Sequence, residues 1–384
     1  MSATTPVRLA LIGGGPGSFI GPVHRMAAEL DGRMKLVAGV FSRNADKSRR
    51  AGEAYGIARE RSYGDIDALI AGERARADGV DLIAIATPNN SHFAIARSVL
   101  EAGFDVISDK PATATLDEAI ALRRIVQATG RRYGITYTYG GYAMAREARE
   151  LVRSGRLGAI RKVVAEYSQG WLAQPVEREG NQQAAWRSDP LAAGAGGCIA
   201  DIGVHAFHLA EFVSGQHVSR IYADLASVVV GRVLDDDCQL LLRFSGGARG
   251  VLLASQIAAG DRNGLRIRVW GERGGLDWSQ EEPDRLTVNW IDAPSQVLHA
   301  GSTYLSEPAR RASRLPPGHP EGFIEALANL YGDYAEAIRA GTPLDHARLP
   351  GIDAGVRGLE FVEQAVAASR AGSWAQLDDM ERIG

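Results

Sequence analysis

The sequence predicts a protein of mixed α/β and α+β class in two parts. A doubly wound parallel-sheet domain spans 1–135, and an α+β domain over 136–384 carries an open, mainly antiparallel sheet backed by helices. Three observations lead there. The first third alternates short continuous apolar runs with helix-length segments, as a parallel sheet covered on both faces requires. From about residue 160 the runs change to apolar–polar alternation joined by Gly- or Asp-containing turns, which suits antiparallel strands with one covered face. A length of 384 residues also exceeds what one core ordinarily encloses.

The first strands are "VRLALIGG" (7–14), "KLVAGVFS" (35–42), "VDLIAIAT" (80–87) and "DVISDKP" (105–111). Between and after them lie "GPVHRMAAEL", "NADKSRRAGEAYGI", "NNSHFAIARSVLEAG" and "TLDEAIALRRIVQATG", which have helical spacing. In the second part, strands are expected at 159–169, 218–230, 238–247, 248–257, 265–274 and 286–294. The Arg- and Pro-rich stretch 307–322 reads as a loop. Helices over 323–341 and 355–372 close the chain and are expected to pack back toward the first domain.

A net charge of −3, without a basic stripe, gives no reason to expect nucleic acid or a membrane surface as partner. No stretch approaches the roughly 20 apolar residues of a membrane span. The two cysteines, Cys198 and Cys238, are too few for a metal cage and suit a reducing compartment. With no secretory leader pattern at "MSATTPVRLALIGGG", a cytoplasmic location is expected.

The turn after the first strand reads "GGGPGSFIGPVH". Glycines there let the backbone turn sharply and let a pyrophosphate approach a helix N-terminus, the requirement of a Rossmann dinucleotide site. Gly13 and Gly15 take the first two positions and Gly21 the third, with three residues inserted. The strand over 35–42 ends Phe41-Ser42-Arg43-Asn44, with no acid before Asp46. A hydroxyl followed by a guanidinium suits a 2′-phosphate better than a ribose 2′-hydroxyl, so NADP is expected over NAD. Arg43 can also be read as a solvated helix-start residue.

Three further stretches set the rest of the reading: "ATPNNSH" (86–92), "SDKPATAT" (108–115) and "GGCIADIGVHAFHLAEF" (196–212). Together they resemble the glucose–fructose oxidoreductase / inositol dehydrogenase / MocA (Gfo/Idh/MocA) family of sugar and polyol oxidoreductases, over nearly the whole chain. The resemblance implies that Lys110 stands on the lysine of a Glu-Lys-Pro motif, with Asp109 at the acid position. It implies that Asp201 and His205 stand on the aspartate and histidine of the family's glycine-rich helix start, with Gly196 and Gly197 on its later glycines. Lys110, Asp201 and His205 would then form the catalytic set around the nicotinamide. His24, Thr87, Pro88, Asn89 and His92 fall on or beside cofactor positions, and Trp186-Arg187 on a Trp-Arg pair preceding the catalytic helix.

Read as residues alone, Asp201 and His205 are i and i+4, one turn apart on one helical face. The aspartate can hold the imidazole in one tautomer or orientation. A base then takes the proton of a secondary alcohol while hydride passes to the nicotinamide. His208 has three readings: a substrate-hydroxyl ligand, a hydrogen-bonded packing histidine, or a metal ligand with Asp201 and His205. No resident metal is expected, because Lys110 would bring a like charge. Arg187 is either an anchor for substrate or nicotinamide or one half of an ion pair. Tyr137, Tyr139 and Tyr142 either face a sugar or pack a domain junction, and His319 of "GHPEG" is a candidate substrate contact.

Without a Lys/Arg cluster to receive a phosphate, the expected substrate is an uncharged sugar, anhydrosugar, inositol or glycoside. The competing readings are a cofactor-recycling enzyme that cleaves glycosides through transient oxidation, and a nucleotide-sensing protein without catalysis. The second sheet's uncovered face predicts a homodimer or homotetramer.

Overall fold

The computed structural model describes residues 5–15, 17–187 and 194–378, without the side chains of Gln182 and Trp186. Two compact units emerge, one comprising Met1–Gly141 with Phe323–Val356, the other Tyr142–Gly322 with Arg357–Gly384. The division thus falls six residues beyond the 135/136 boundary expected from sequence, and the first unit takes back a late segment.

In the first unit a five-stranded parallel sheet has the order β2-β1-β3-β4-β5. Its strands are β1 (Val7–Gly13), β2 (Met34–Val40), β3 (Leu82–Ala86), β4 (Asp105–Ser108) and β5 (Tyr133–Ile135). β3 is buried along its whole length, which explains its unbroken apolar run. The order reverses at β1, so β1 and β3 frame the switch point where such sheets bind ligands. The helices are α1 (Ile20–Glu29), α2 (Ala45–Ala54), α3 (Ile66–Arg74), α4 (His92–Glu101) and α5 (Leu116–Thr129). Asn44, Asp65 and Thr115 cap α2, α3 and α5 by accepting main-chain N–H bonds.

After β5, residues Thr138–Gly141 form a 3₁₀ turn against a helix from the far end of the chain (Phe323–Ala340). The Asn329 amide donates to the Gly141 carbonyl at 2.9 Å. A Cβ on Gly141 would lie 2.1 Å from the Ala326 carbonyl oxygen. This tight seat moves the unit boundary past the last strand of the sheet.

The second unit opens with α6 (Ala143–Arg153), β6 (Ile160–Ser168), α7 (Gln182–Arg187) and α8 (Val204–Ser214). Then follow β7 (Val218–Ala226), β8 (Asp237–Phe244), β9 (Arg249–Ser255), β10 (Gly264–Gly271), β11 (Gly274–Ser279), β12 (Arg285–Trp290) and β13 (Gln296–His299). The stretch read as a loop over 307–322 begins instead with a helical turn, α9 (Glu307–Arg311). The helix Phe323–Ala340 is α10, α11 is Ile352–Ala371, and β14 is Ala375–Gln376. The nine-stranded sheet runs β13-β12-β11-β10-β6-β9-β8-β7-β14, antiparallel except for the central β6–β9 pair. Burial alternates along β8, β9 and β10, so one face is covered. The other exposes Leu241, Leu253, Trp270 and Val297.

Candidate active site

The glycine turn of the first unit is shaped by contact. A Cβ on Gly13 would fall 2.2 Å from the Ala86 carbonyl oxygen, and one on Gly15 2.2 Å from that of Phe41. The strand ends of β3 and β2 therefore close directly on the turn, leaving a backbone-lined cradle of the kind a pyrophosphate needs. Gly21 serves packing instead. Its Cβ would sit 2.1 Å from the Gly14 Cα, so the bare glycine seats the start of α1 on the turn. These features fit a dinucleotide.

At the end of β2, the Ser42 hydroxyl accepts from the Asn44 N–H at 3.2 Å. Arg43 is exposed, with no ion-pair partner among the described residues, while Asp46 is engaged by Arg49. Thr87, Pro88 and Asn89 follow β3 at the surface, and the Ser91 hydroxyl donates to Thr87 Oγ1 at 2.8 Å. Asp109 Oδ1 accepts from the Lys110 N–H at 2.8 Å and the Thr136 hydroxyl at 3.0 Å, which fixes the Asp109-Lys110-Pro111 corner. The Lys110–Pro111 peptide is cis.

His24 and His92 are both buried. His24 is buried between α1 and α10, with Nδ1 2.7 Å from the Tyr331 hydroxyl. Burial lowers its pKa against the opposing pull of Asp109, so the ring is neutral at pH 7. His92 is sealed, and both its ring nitrogens face main-chain carbonyls. Position in the sequence suggested cofactor contact for both, but helical phase turns both rings inward. Tyr139, 5% exposed, packs edge-on against Phe323 within the first unit. Tyr142, 3% exposed, accepts from Gln280 and tilts against Trp278 within the second. Both are packed phenols, as Tyr137 also is, rather than an open sugar-facing surface.

In the second unit, the segment expected as plain α-helix from 196 begins with a π-turn, Ile199–Gly203, before α8. Such turns often mark functional sites. The chain packs closely just before this one: a Cβ on Gly197 would lie 2.3 Å from the Asp235 carbonyl oxygen, and one on Gly196 2.4 Å from Ile199. Asp235 caps the turn, accepting from the Gly197 and Ile199 N–H groups at 2.7 Å each. Cys198, Asp235 and Cys238 place their ligand atoms within 4.8 Å of one another. The carboxylate is already spent on the two N–H groups, and burial raises the pKa of both thiols, so the cluster reads as a protonated, hydrogen-bonded cap.

Asp201 sits in that π-turn and is doubly held. Its Oδ2 accepts from Arg187 Nε at 3.0 Å and from Gln256 Nε2 at 2.9 Å. Arg187 is therefore one half of an ion pair within the second unit, its guanidinium also 5.8 Å over the Trp171 ring. The Trp186 side chain lies outside the described residues. His205, half-buried, tilts against the Tyr167 ring at 6.3 Å. His208 stacks on Phe212, and burial lowers its pKa to about 4, which makes it a neutral packing histidine and a poor cationic ligand for substrate. His319 is exposed and touches the Pro316 carbonyl, while Glu321 is bound by Arg314.

A row of neutral polar groups was missed from sequence. Trp171 Nε1 donates to Gln169 Oε1 at 3.0 Å, Gln169 Nε2 to Asn263 Oδ1 at 2.8 Å, and Asn263 Nδ2 to Gln280 Oε1 at 3.2 Å. The Tyr167 hydroxyl joins at Asn263 Oδ1, 2.7 Å away. A signal was present. Gln169 follows Val163, Ala165 and Tyr167 in the covered phase of β6, and Gln256 follows Leu252 and Ala254 in that of β9. An amide where alternation calls for a core residue marks a polar end to the core.

Residues 7–137 match the oxidoreductase family with an NAD-binding Rossmann fold, and residues 145–277 match the GFO/IDH/MocA C-terminal domain. An uncharacterized oxidoreductase of Bacillus subtilis (strain 168) is 32% identical over 381 residues, 97% of either chain. An inositol dehydrogenase homolog from Azotobacter vinelandii, in its crystal structure with NAD+, is 38% identical with a TM-score of 0.92, over 97% of this chain and 98% of that one. A second crystal structure of such a homolog from that organism, complexed with NADH and myo-inositol, is 37% identical with a TM-score of 0.88 over the same shares.

Proposed function

We propose, on the premise that this chain belongs to the Gfo/Idh/MocA family of NAD-binding oxidoreductases, that it moves a hydride between a nicotinamide cofactor and a secondary alcohol or ketone of an uncharged sugar or polyol. The observation that carries this reading is the Asp201 carboxylate, held by Arg187 and Gln256 in the π-turn that leads into α8, four residues before His205. Two donors on one oxygen keep the carboxylate anionic and fixed in direction. Asp201 then orients the His205 imidazole, which accepts the hydroxyl proton as the carbonyl forms, and returns it in reduction. Lys110 is the third proposed catalytic group, on the chemistry of an ammonium that stabilises a developing alkoxide.

Bound NAD(P) supplies the hydride acceptor at its nicotinamide. The glycine cradle and the N-terminal turn of α1 would hold its pyrophosphate, and Ser42 with Arg43 would take the adenosine ribose. On the exposed Arg43 and the engaged Asp46 we favour NADP, although the similar homolog was crystallised with NAD+. Arg187 is already matched by Asp201, so the site has little spare positive charge for a phosphorylated substrate. Myo-inositol in the related homolog supports a neutral polyol.

No helix among the described residues is long and apolar enough to cross a membrane. The two buried free thiols support a reducing, cytoplasmic setting. The face carrying Leu241, Leu253, Trp270 and Val297 is the proposed surface for self-association, checked by light scattering of the eluting protein.

The test is the absorbance of reduced nicotinamide with NADP or NAD against neutral sugars, inositols and anhydrosugars, in both directions. Turnover with a neutral polyol, faster with NADP, is expected. A silent panel in both directions, with nucleotide retained through purification, would replace this reading with cofactor recycling or nucleotide sensing.

A further inference from the structure

We propose that His92 is a positioning residue that carries protons on both ring nitrogens and, through them, ties the Thr87 corner to the Lys110–Pro111 corner. The proposal rests on the hydride-transfer reading, in which those corners hold cofactor and a catalytic group. The ladder between β3 and β4 ends where the Asp109 N–H donates to the Ile85 carbonyl at 2.9 Å. Past that point His92 spans the two loops. Its Nε2 lies 2.8 Å from the Thr87 carbonyl oxygen and its Nδ1 2.7 Å from that of Pro111.

Both partners are main-chain carbonyls, which accept and never donate. A neutral imidazole has one N–H to give. Either tautomer would therefore set a nitrogen lone pair against an oxygen lone pair at hydrogen-bonding distance. The ring is 0% exposed, so solvent does not relieve that contact. Two N–H groups satisfy both carbonyls at once, and the ring then bears a positive charge.

The surroundings bear on that charge. Asp109 accepts from two donors on the corner that ends at Pro111, and the same corner carries the opposite charge of Lys110. Asp109 and His92 act oppositely on His24, the carboxylate favouring its charged form and His92 opposing it. Burial dominates there, which leaves His24 neutral beside the Tyr331 hydroxyl. The first turn of α4 disfavours a cation at its own first residue. Burial opposes the charge as well, and two charge-assisted hydrogen bonds to carbonyls, each about twice as strong as a neutral one, offset both.

The arrangement gives His92 a role distinct from contact with a nucleotide. The sheet fixes the spacing of β3 and β4, and His92 extends that fixed spacing to the loops beyond them. A side chain reaching only one carbonyl leaves the other corner free to drift.

The test uses the full-length protein with ring-¹⁵N-labelled histidine. Long-range ¹H–¹⁵N spectra are recorded at neutral pH, and the His92 signals are assigned by their loss in His92→Gln. Both nitrogens at the protonated position are expected, and a lone-pair nitrogen on either side overturns the proposal. In the folded variant, cofactor KM should rise roughly ten- to a hundredfold, by more than kcat falls. Unchanged cofactor KM in a variant with native circular dichroism also overturns it. If His92→Gln does not fold, His92→Asn serves for both assignment and kinetics. The spectrum needs no substrate, so its failure is distinguishable from a failure of the hydride-transfer reading.

Discussion

Replacing Gln256 by Leu removes a donor to Asp201 while nearly preserving volume. Gln256 is 2% exposed and its amide reaches Asp201 Oδ2 at 2.9 Å, so water does not substitute for it. A hydrogen bond to a charged group contributes about 1.5–3 kcal/mol. Arg187 remains on the same oxygen at 3.0 Å and keeps the carboxylate ionised, which places the loss toward the lower figure. If Asp201 must be aimed for His205 to accept the proton, kcat/KM should fall roughly tenfold, since each 1.4 kcal/mol is a factor of ten. The assay is steady-state oxidation of a neutral polyol with saturating NADP, alongside a thermal melt. Arg187→Ala, Gln256→Leu and the double variant complete a cycle. Because both donors meet one oxygen, the effects should be non-additive by more than about 0.5 kcal/mol. Additive losses, or a folded Gln256→Leu enzyme with unchanged kcat/KM, would refute the view that these donors act through Asp201.

Lys110→Ala and His205→Ala should each lower turnover by a factor on the order of 10²–10⁴ while leaving nucleotide affinity, measured by titration calorimetry, nearly intact. Arg43→Glu should move the kcat/KM ratio of NADP to NAD toward NAD, and an unchanged ratio removes Arg43 from cofactor selection. His208 titrates near 4 in the fold against 6.5 for the free side chain, so the unfolded chain binds more protons between those values. Stability should fall as pH drops from 6.5 toward 4. With His208 only partly shielded from solvent, the loss should be about 1–2 kcal/mol, and denaturant melts of His208→Gln should show a flatter profile over that window. In the first unit, Glu73 is buried beneath Arg61, Tyr63 and the Val80 N–H. Glu73→Ala should cost about 3 kcal/mol by leaving the buried Arg61 guanidinium with only the more exposed Asp78 at 3.5 Å, read from denaturant unfolding.

The parallel sheet was legible because strands buried on both faces leave unbroken apolar runs, as in "LIAIA". The alternating strands after residue 160 were legible for the opposite reason, whereas the π-turn that carries Asp201 was not. What sequence did not reveal depends on which way a ring or amide turns. His24 and His92 lie in stretches that touch the glycine turn and the strand ends, yet the pitch of α1 and the start of α4 bury both. Arg187 stayed open between anchor and ion pair because its partner, 14 residues on, is brought to it only by the fold. Gln169 and Gln256 become visible only when strand phase is followed past the last apolar residue.

The placement of Phe323–Val356 in the first unit has a consequence for synthesis. Leu327, Leu330, Tyr331 and Tyr334 share one buried cluster with Leu9, Leu11, Val23 and Leu36. The ribosome delivers the sheet of that unit early and its covering helix more than 180 residues later, the gap between Gly141 and Phe323. At the usual order of translation the nascent sheet waits with apolar surface uncovered while eight of the nine strands of the second sheet emerge. A fragment ending at Gly141 should therefore aggregate when expressed alone, and an autonomous nucleotide-binding module would need the 323–356 segment grafted to its end.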